Sequence, residues 1–313
     1  MRAIRAVVLA SVLAAGAARA DDAPDCKLHL IASLPMTPHE TMIMVPATLG
    51  ARQTSMLVDT GGYFSMVGAH VVKELDAETH PLATDAFTLV NGSHLTTAAH
   101  IRPFALGQMT THEFKFLVLP DGVVGPSDMD GTIAPDIIAN FDVDFDFAND
   151  KMNLISQDHC PGKVVYWAKD WAEIPFRAPD NLHIELEMTL DGKPMQATLD
   201  TGSSSSFISA GTLKKMFGAD ANSPGAKPLE KHADEASLRN DTQDNRSFAY
   251  TFNTLSAGGL SVSHPTFEVL PDDKASSLNH WGQMLLGMPE IRKFHMYIAY
   301  KEHVLYVTPV VAH

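Results

Sequence analysis

Leu57-Val58-Asp59-Thr60-Gly61 and Thr198-Leu199-Asp200-Thr201-Gly202 share one pattern, an apolar residue followed by Asp-Thr-Gly, at positions 141 apart. Each copy also has a Ser four residues beyond its Gly, Ser65 and Ser206. At the same offset Ile43, Val45, Leu49 and Val58 meet Ile184, Leu186, Leu190 and Leu199. Further on the offset becomes 151, where Phe116, Leu119, Pro120 and Asp121 meet Phe267, Leu270, Pro271 and Asp272. It then becomes 153, and Phe141, Phe145, Phe147, Met152 and Leu154 meet Phe294, Ile298, Tyr300, Leu305 and Val307. Each change is an insertion in the second copy, and the polar stretch 218–247 is where most of it is expected. A period this long means two homologous domains rather than a solenoid of short repeats. Two such turns related by a pseudo-two-fold axis would bring two carboxylates together across a water, the arrangement that hydrolysis by a carboxyl pair requires.

These residues resemble the pepsin-like and retropepsin-like aspartic proteases, especially bacterial single-chain proteins with two retropepsin-like units. Besides the Asp-Thr-Gly turns, each half has a later apolar-apolar-Gly element. It reads Leu285-Leu286-Gly287 in the second half and Thr132-Ile133-Ala134 in the first, where Ala replaces the expected Gly. The resemblance covers roughly residues 40–310. It implies an all-β bilobal acid-protease fold, two homologous retropepsin-like β-barrel lobes with a substrate cleft between them. The expected division is a signal peptide over 1–20, an N-terminal lobe over 21–158, a linker over 159–180 and a C-terminal lobe over 181–313.

The resemblance assigns the catalytic pair to Asp59 and Asp200. Two carboxyls a hydrogen bond apart do not both ionise easily, so one keeps a proton while the other takes a proton from water. Thr60 and Thr201 are expected to bond across to the opposite loop, and Gly61 and Gly202 to permit the tight turn and close approach. Ser203 faces Gly62 in the alignment of the two copies. In the family a hydroxyl there can bond the carboxylate, which makes Asp200 the expected ionised member and Asp59 the protonated one. No cofactor is implied. A rival reading from another class is a catalytically silent peptide-binding or inhibitory module on the same fold, with Ala134 as its symptom.

Composition adds bounds. A net charge of −14 leaves no basic stripe to neutralise phosphates, which argues against nucleic acid. Arg2 and Arg5 precede the apolar run Ala6–Ala17, and Ala18-Arg19-Ala20 has the form of a signal-peptide cleavage site. Cleavage near Ala20 predicts a periplasmic or secreted protein. Cys26 lacks a lipobox before it and no later stretch approaches 18 apolar residues, so no membrane anchor is expected. The partner is then a peptide or protein substrate, met by a monomer. In an oxidising compartment the only two cysteines, Cys26 and Cys160, are expected to form a disulfide, the alternative being two buried thiols.

Alternating apolar residues in 183–188, 114–118 and 141–147 predict half-buried strands. Asn91-Gly92 between two short β-prone runs predicts a hairpin at the place of the family's flap, making Asn91, Gly92 and His94 flap candidates. The flap tyrosine of pepsins is missing, because no Tyr occurs between 64 and 165; His94 and Thr96 stand there instead. Short helices are expected at 69–76, 136–140 and 211–217, and a loop over 219–245. The 15 His show no paired metal-ligand spacing, so no metal is expected. Ser203–Ser206 lack a nucleophile elbow. Asp142, Asp144 and Asp146 alternate along one strand face, read as solvated because the Gly and distal Glu of a calcium loop are missing.

Overall fold

The computed structural model describes residues 26–83, 87–89, 93–122, 129–179, 183–229, 247–273, 275 and 282–310. Each dyad strand arises from the same local code. In the first lobe Met42–Leu49 pairs antiparallel with Arg52–Val58, and Gly131–Ile133 runs parallel to the latter with Ile133 beside Val58. In the second, Glu185–Leu190 pairs with Lys193–Leu199, and Met284–Leu286 runs parallel with Leu286 beside Leu199. Where they run parallel, over 56–58 with 131–133 and 197–199 with 284–286, the strands are buried, as expected where both faces of a parallel pair are covered. Val58 and Leu199 end their strands, so Asp59 and Asp200 occupy equivalent corners.

The lobes join through six antiparallel strands. Their order is Leu30–Pro35, Lys151–Ile155, Asp142–Asp146, Phe294–Ala299, Val304–Pro309 and Ala172–Arg177. The order is a palindrome: each strand from one copy has its repeat partner at the mirrored position. The central register pairs Val143 with Ile298, Asp144 with Tyr297 and Phe145 with Met296. Under the repeat offset of 153 the pair 143/298 maps onto 145/296, while 144/297 maps onto itself. The pseudo-two-fold axis therefore passes through Asp144 and Tyr297. The fold is all-β and bilobal, with hydrogen bonding traced as extended sheets and no closed barrel among the described residues.

Among the described residues, four short helices are Ala69–Glu74, Pro135–Ile138, Ala210–Phe217 and Met288–Ile291. The first three lie where the sequence reading puts helices; the fourth was not expected and is the repeat partner of Pro135–Ile138. Phe87–Thr88 pairs with His94–Leu95 as a hairpin, while Asn91 and Gly92 lie outside the described residues. Residues 230–246 of the polar stretch and the expected signal segment 1–20 also lie outside them. No helix among the described residues is long and apolar enough to cross a membrane. Cys26 and Cys160 form a disulfide.

Two readings need correction. The stretch 159–180 is more than a connection, because Ala172–Arg177 is a strand bonded to Val304–Pro309. Asp142 and Asp144 do not lie on a solvated face: both are fully buried. The segment from His159 to Trp167 folds over that side of the sheet. His159 Nε2 pairs with Asp142 Oδ2 at 2.6 Å, and Tyr297 donates to the same oxygen at 3.1 Å. His295 Nε2 pairs with Asp144 Oδ1 at 2.7 Å, Asn153 Nδ2 donates to Asp144 Oδ2 at 2.9 Å, and the Tyr166 hydroxyl donates there as well. Buried carboxylates survive only with such partners.

Candidate active site

The Asp59 N–H donates to Ile133 O and the Asp200 N–H to Leu286 O, both at 2.9 Å. Each corner is thus pinned to the parallel strand beside it. The two turns then interlock. Thr60 Oγ1 donates to Leu199 O at 2.9 Å and accepts from the Thr201 N–H at 3.0 Å. Reciprocally, Thr201 Oγ1 donates to Val58 O at 2.8 Å and accepts from the Thr60 N–H at 3.1 Å. Both threonines are fully buried, so these four bonds form in a low-dielectric setting where an unmet group is costly.

The glycines set the separation. A methyl group on Gly61 would sit 2.3 Å from Asp200 Cγ, and one on Gly202 2.6 Å from Asp59 Cγ. Each turn therefore lies directly against the opposite carboxyl, and only a residue without Cβ fits. The Gly61 N–H donates to Asp59 Oδ1 at 3.1 Å and the Gly202 N–H to Asp200 Oδ1 at 2.8 Å. The carboxyls bond each other, and burial pushes both above the ordinary carboxylate range. Asp200 goes well above it, because burial is compounded by the neighbouring Asp59 charge. Asp59 is held lower by the N–H groups of Gly62 and Gly61 and by the proton that Asp200 shares.

The hydroxyl expected to favour a charged Asp200 points elsewhere. Ser203 Oγ donates to Ser205 O at 2.8 Å rather than to a carboxylate, so it gives Asp200 no charged-state preference. The cause lies in the next element: the Met288 N–H takes the Ser203 carbonyl at 3.0 Å and fixes the loop. Of the two, Asp200 is pushed further above the ordinary carboxylate range than Asp59.

The same loop explains Ala134. A methyl on Gly287 would meet Ser205 O at 2.1 Å. In the first copy Pro135 stands where Met288 stands in the second, and proline has no N–H to draw the loop inward. Ala134 sits there buried, with φ −113° and ψ 177°, extended backbone that any residue adopts. The serines after each turn complete the frame: Ser65 Oγ accepts from the Ala134 N–H at 2.9 Å and Ser206 Oγ from the Gly287 N–H at 3.0 Å. Ser65 also donates through N–H and Oγ to Asp136, whose repeat position is Pro289.

Around the dyad, Tyr63 and Phe64 are each 40% exposed, and Phe64 packs edge-on to Phe87 of the hairpin at 5.2 Å. The hairpin base thus adjoins the first turn, and His94 Nδ1 lies 3.1 Å from Thr88 Oγ1. Two residues escaped the sequence reading. Buried His183 donates from Nε2 to Gly61 O at 2.8 Å, and Thr41 Oγ1 donates to Ser204 O at 3.1 Å. Each reaches from one lobe to the other lobe's turn. The repeat hides them because His183 aligns with Met42, so no shared residue type marks the position.

A protein-family model described as aspartyl protease matches residues 45–133 and 186–289, one stretch in each copy of the repeat. No curated protein matches the chain.

Proposed function

The chain belongs to the aspartyl protease family, and from that premise we propose that it is an exported aspartic endopeptidase acting through Asp59 and Asp200. The observation that carries the reading is the pair of half-buried carboxyls on turns locked together by four threonine bonds across the lobes. In this reading ionised Asp59 takes a proton from a water whose oxygen adds to the scissile carbonyl carbon. Asp200 gives its proton to the carbonyl oxygen. Collapse of the resulting diol breaks the C–N bond, and the departing nitrogen takes a proton, leaving a carboxylic acid and an amine. The substrate is a peptide or protein segment extended through the cleft, bound by a monomer without a cofactor.

Export to the periplasm or exterior is part of the proposal, supported by the signal-like N-terminus and by the disulfide. The rival reading of a silent binding or inhibitory module draws on Ala134, whose extended backbone is one that any residue adopts. The test is digestion of a diverse peptide library by the mature protein between about pH 3 and 7, beside Asp59→Asn and Asp200→Asn. Cleavage by the wild type and none by either variant is expected. A folded wild type that cuts nothing, yet binds a pepstatin-like analogue, would replace general proteolysis with processing of one dedicated partner.

A further inference from the structure

The carbonyl that His183 holds belongs to the peptide group that leads into Gly62, beside Asp59. His183 Nε2 donates to Gly61 O at 2.8 Å, and Gly62 at the other end of that peptide lies so close to the Asp59 carboxyl that a methyl on it would sit 2.8 Å from Oδ2. A donor on a carbonyl oxygen polarises the peptide and strengthens its N–H as a donor. His183 is buried and covered by the Tyr63 ring, whose centroid lies 4.0 Å away at an interplanar angle of 66°. Its position is also tied to the second carboxyl, because the Leu199 N–H donates to Ile184 O at 3.0 Å on the strand that delivers Asp200. The corresponding residue of the first copy is Met42, whose side chain carries no N–H.

We propose that His183 is a positioning residue that reaches across the lobes to hold the Gly61–Gly62 peptide against the Asp59 carboxyl. The unequal roles of two near-identical Asp-Thr-Gly turns then originate in a residue outside both motifs. The titratable groups around this peptide are Asp59, Asp200 and Tyr63. On the His183 side, Glu185 turns instead to Gln196 Nε2 at 3.0 Å and Arg177 at 3.3 Å.

The functional meaning rests on the proposed dyad chemistry, but the effect is read without substrate. Aspartate carboxyl carbons labelled with 13C are titrated by NMR in the wild type, His183→Phe and His183→Gln, with Asp59→Asn and Asp200→Asn to assign the pair. His183→Phe keeps a ring against Tyr63 and removes the N–H, and His183→Gln keeps a neutral N–H. The expected result is an Asp59 midpoint raised by about one pH unit in His183→Phe and restored to within a few tenths in His183→Gln. Where peptides are cleaved, the acidic limb of kcat/KM moves with it. An Asp59 midpoint unmoved in His183→Phe overturns the inference, however much stability the variant loses. If His183→Phe does not fold, a large upward midpoint shift in His183→Gln overturns it equally, and a wild-type midpoint there upholds it. A wild type that titrates as described but cleaves nothing would count against proteolysis alone.

Discussion

Gly287 and Ala134 hold the same place in the two copies under different steric rules. Gly287→Ala drives a methyl into a backbone carbonyl at 2.1 Å and should cost about 2–3 kcal/mol in urea unfolding. Ala134→Gly removes one buried methyl and should cost only about 1 kcal/mol. The dyad itself is held against stability. Burial raises both carboxyls, so their folded-state pKa lies above the unfolded value. Below about pH 4 both folded and unfolded chains hold the protons and nothing is lost; as pH rises through the folded-state values, stability falls. Asp200→Asn should therefore raise stability near pH 7 by about 1 kcal/mol or more, and the gain should vanish near pH 3, as thermal melts at the two pH values would read. The Asp-Thr-Gly turns could be recognised in the sequence because both copies repeat them letter for letter. His183 could not, since its role depends on a carbonyl in the other lobe. The direction of the Ser203 hydroxyl was hidden for a related reason: it is set by the N–H of Met288, 85 positions on.

Elements tell the same story at longer range. Phe114–Leu119 reads as a strand in the sequence and is one in the structure, with Phe116 and Leu117 both buried. Asp142–Asp146 reads as a strand equally well, yet its two-residue period says nothing of what covers its polar side. The cover comes from the segment 159–167, and its partners His295 and Tyr297 from the other lobe. Met288–Ile291, with four residues, is too short to show a helical period, and only its repeat partner could have announced it. Because Asp144 is the common acceptor for His295, Asn153 and Tyr166, Asp144→Ala should cost about 3 kcal/mol, measurable by denaturant unfolding.

At the scale of the molecule, the disulfide fastens the chain just before its first central strand to the start of the segment that crosses the same sheet. It closes a span of 134 residues. Replacing both cysteines by serine should cost about 4 kcal/mol by loop-entropy reasoning, read as a fall in the urea midpoint that reduction of the wild type reproduces. The palindromic sheet was implicit in the three repeat offsets, but the axis position needed the register. That position has a further meaning. In any true two-fold homodimer, a residue on the axis must face its own copy. A dimer of two first halves would set Asp144 against Asp144 and would lack His295 and Tyr297, leaving like charges entombed without a counterpart. Joining the copies into one chain released the axis from self-pairing, and a carboxylate and a phenol now share a spot where symmetry demands twins.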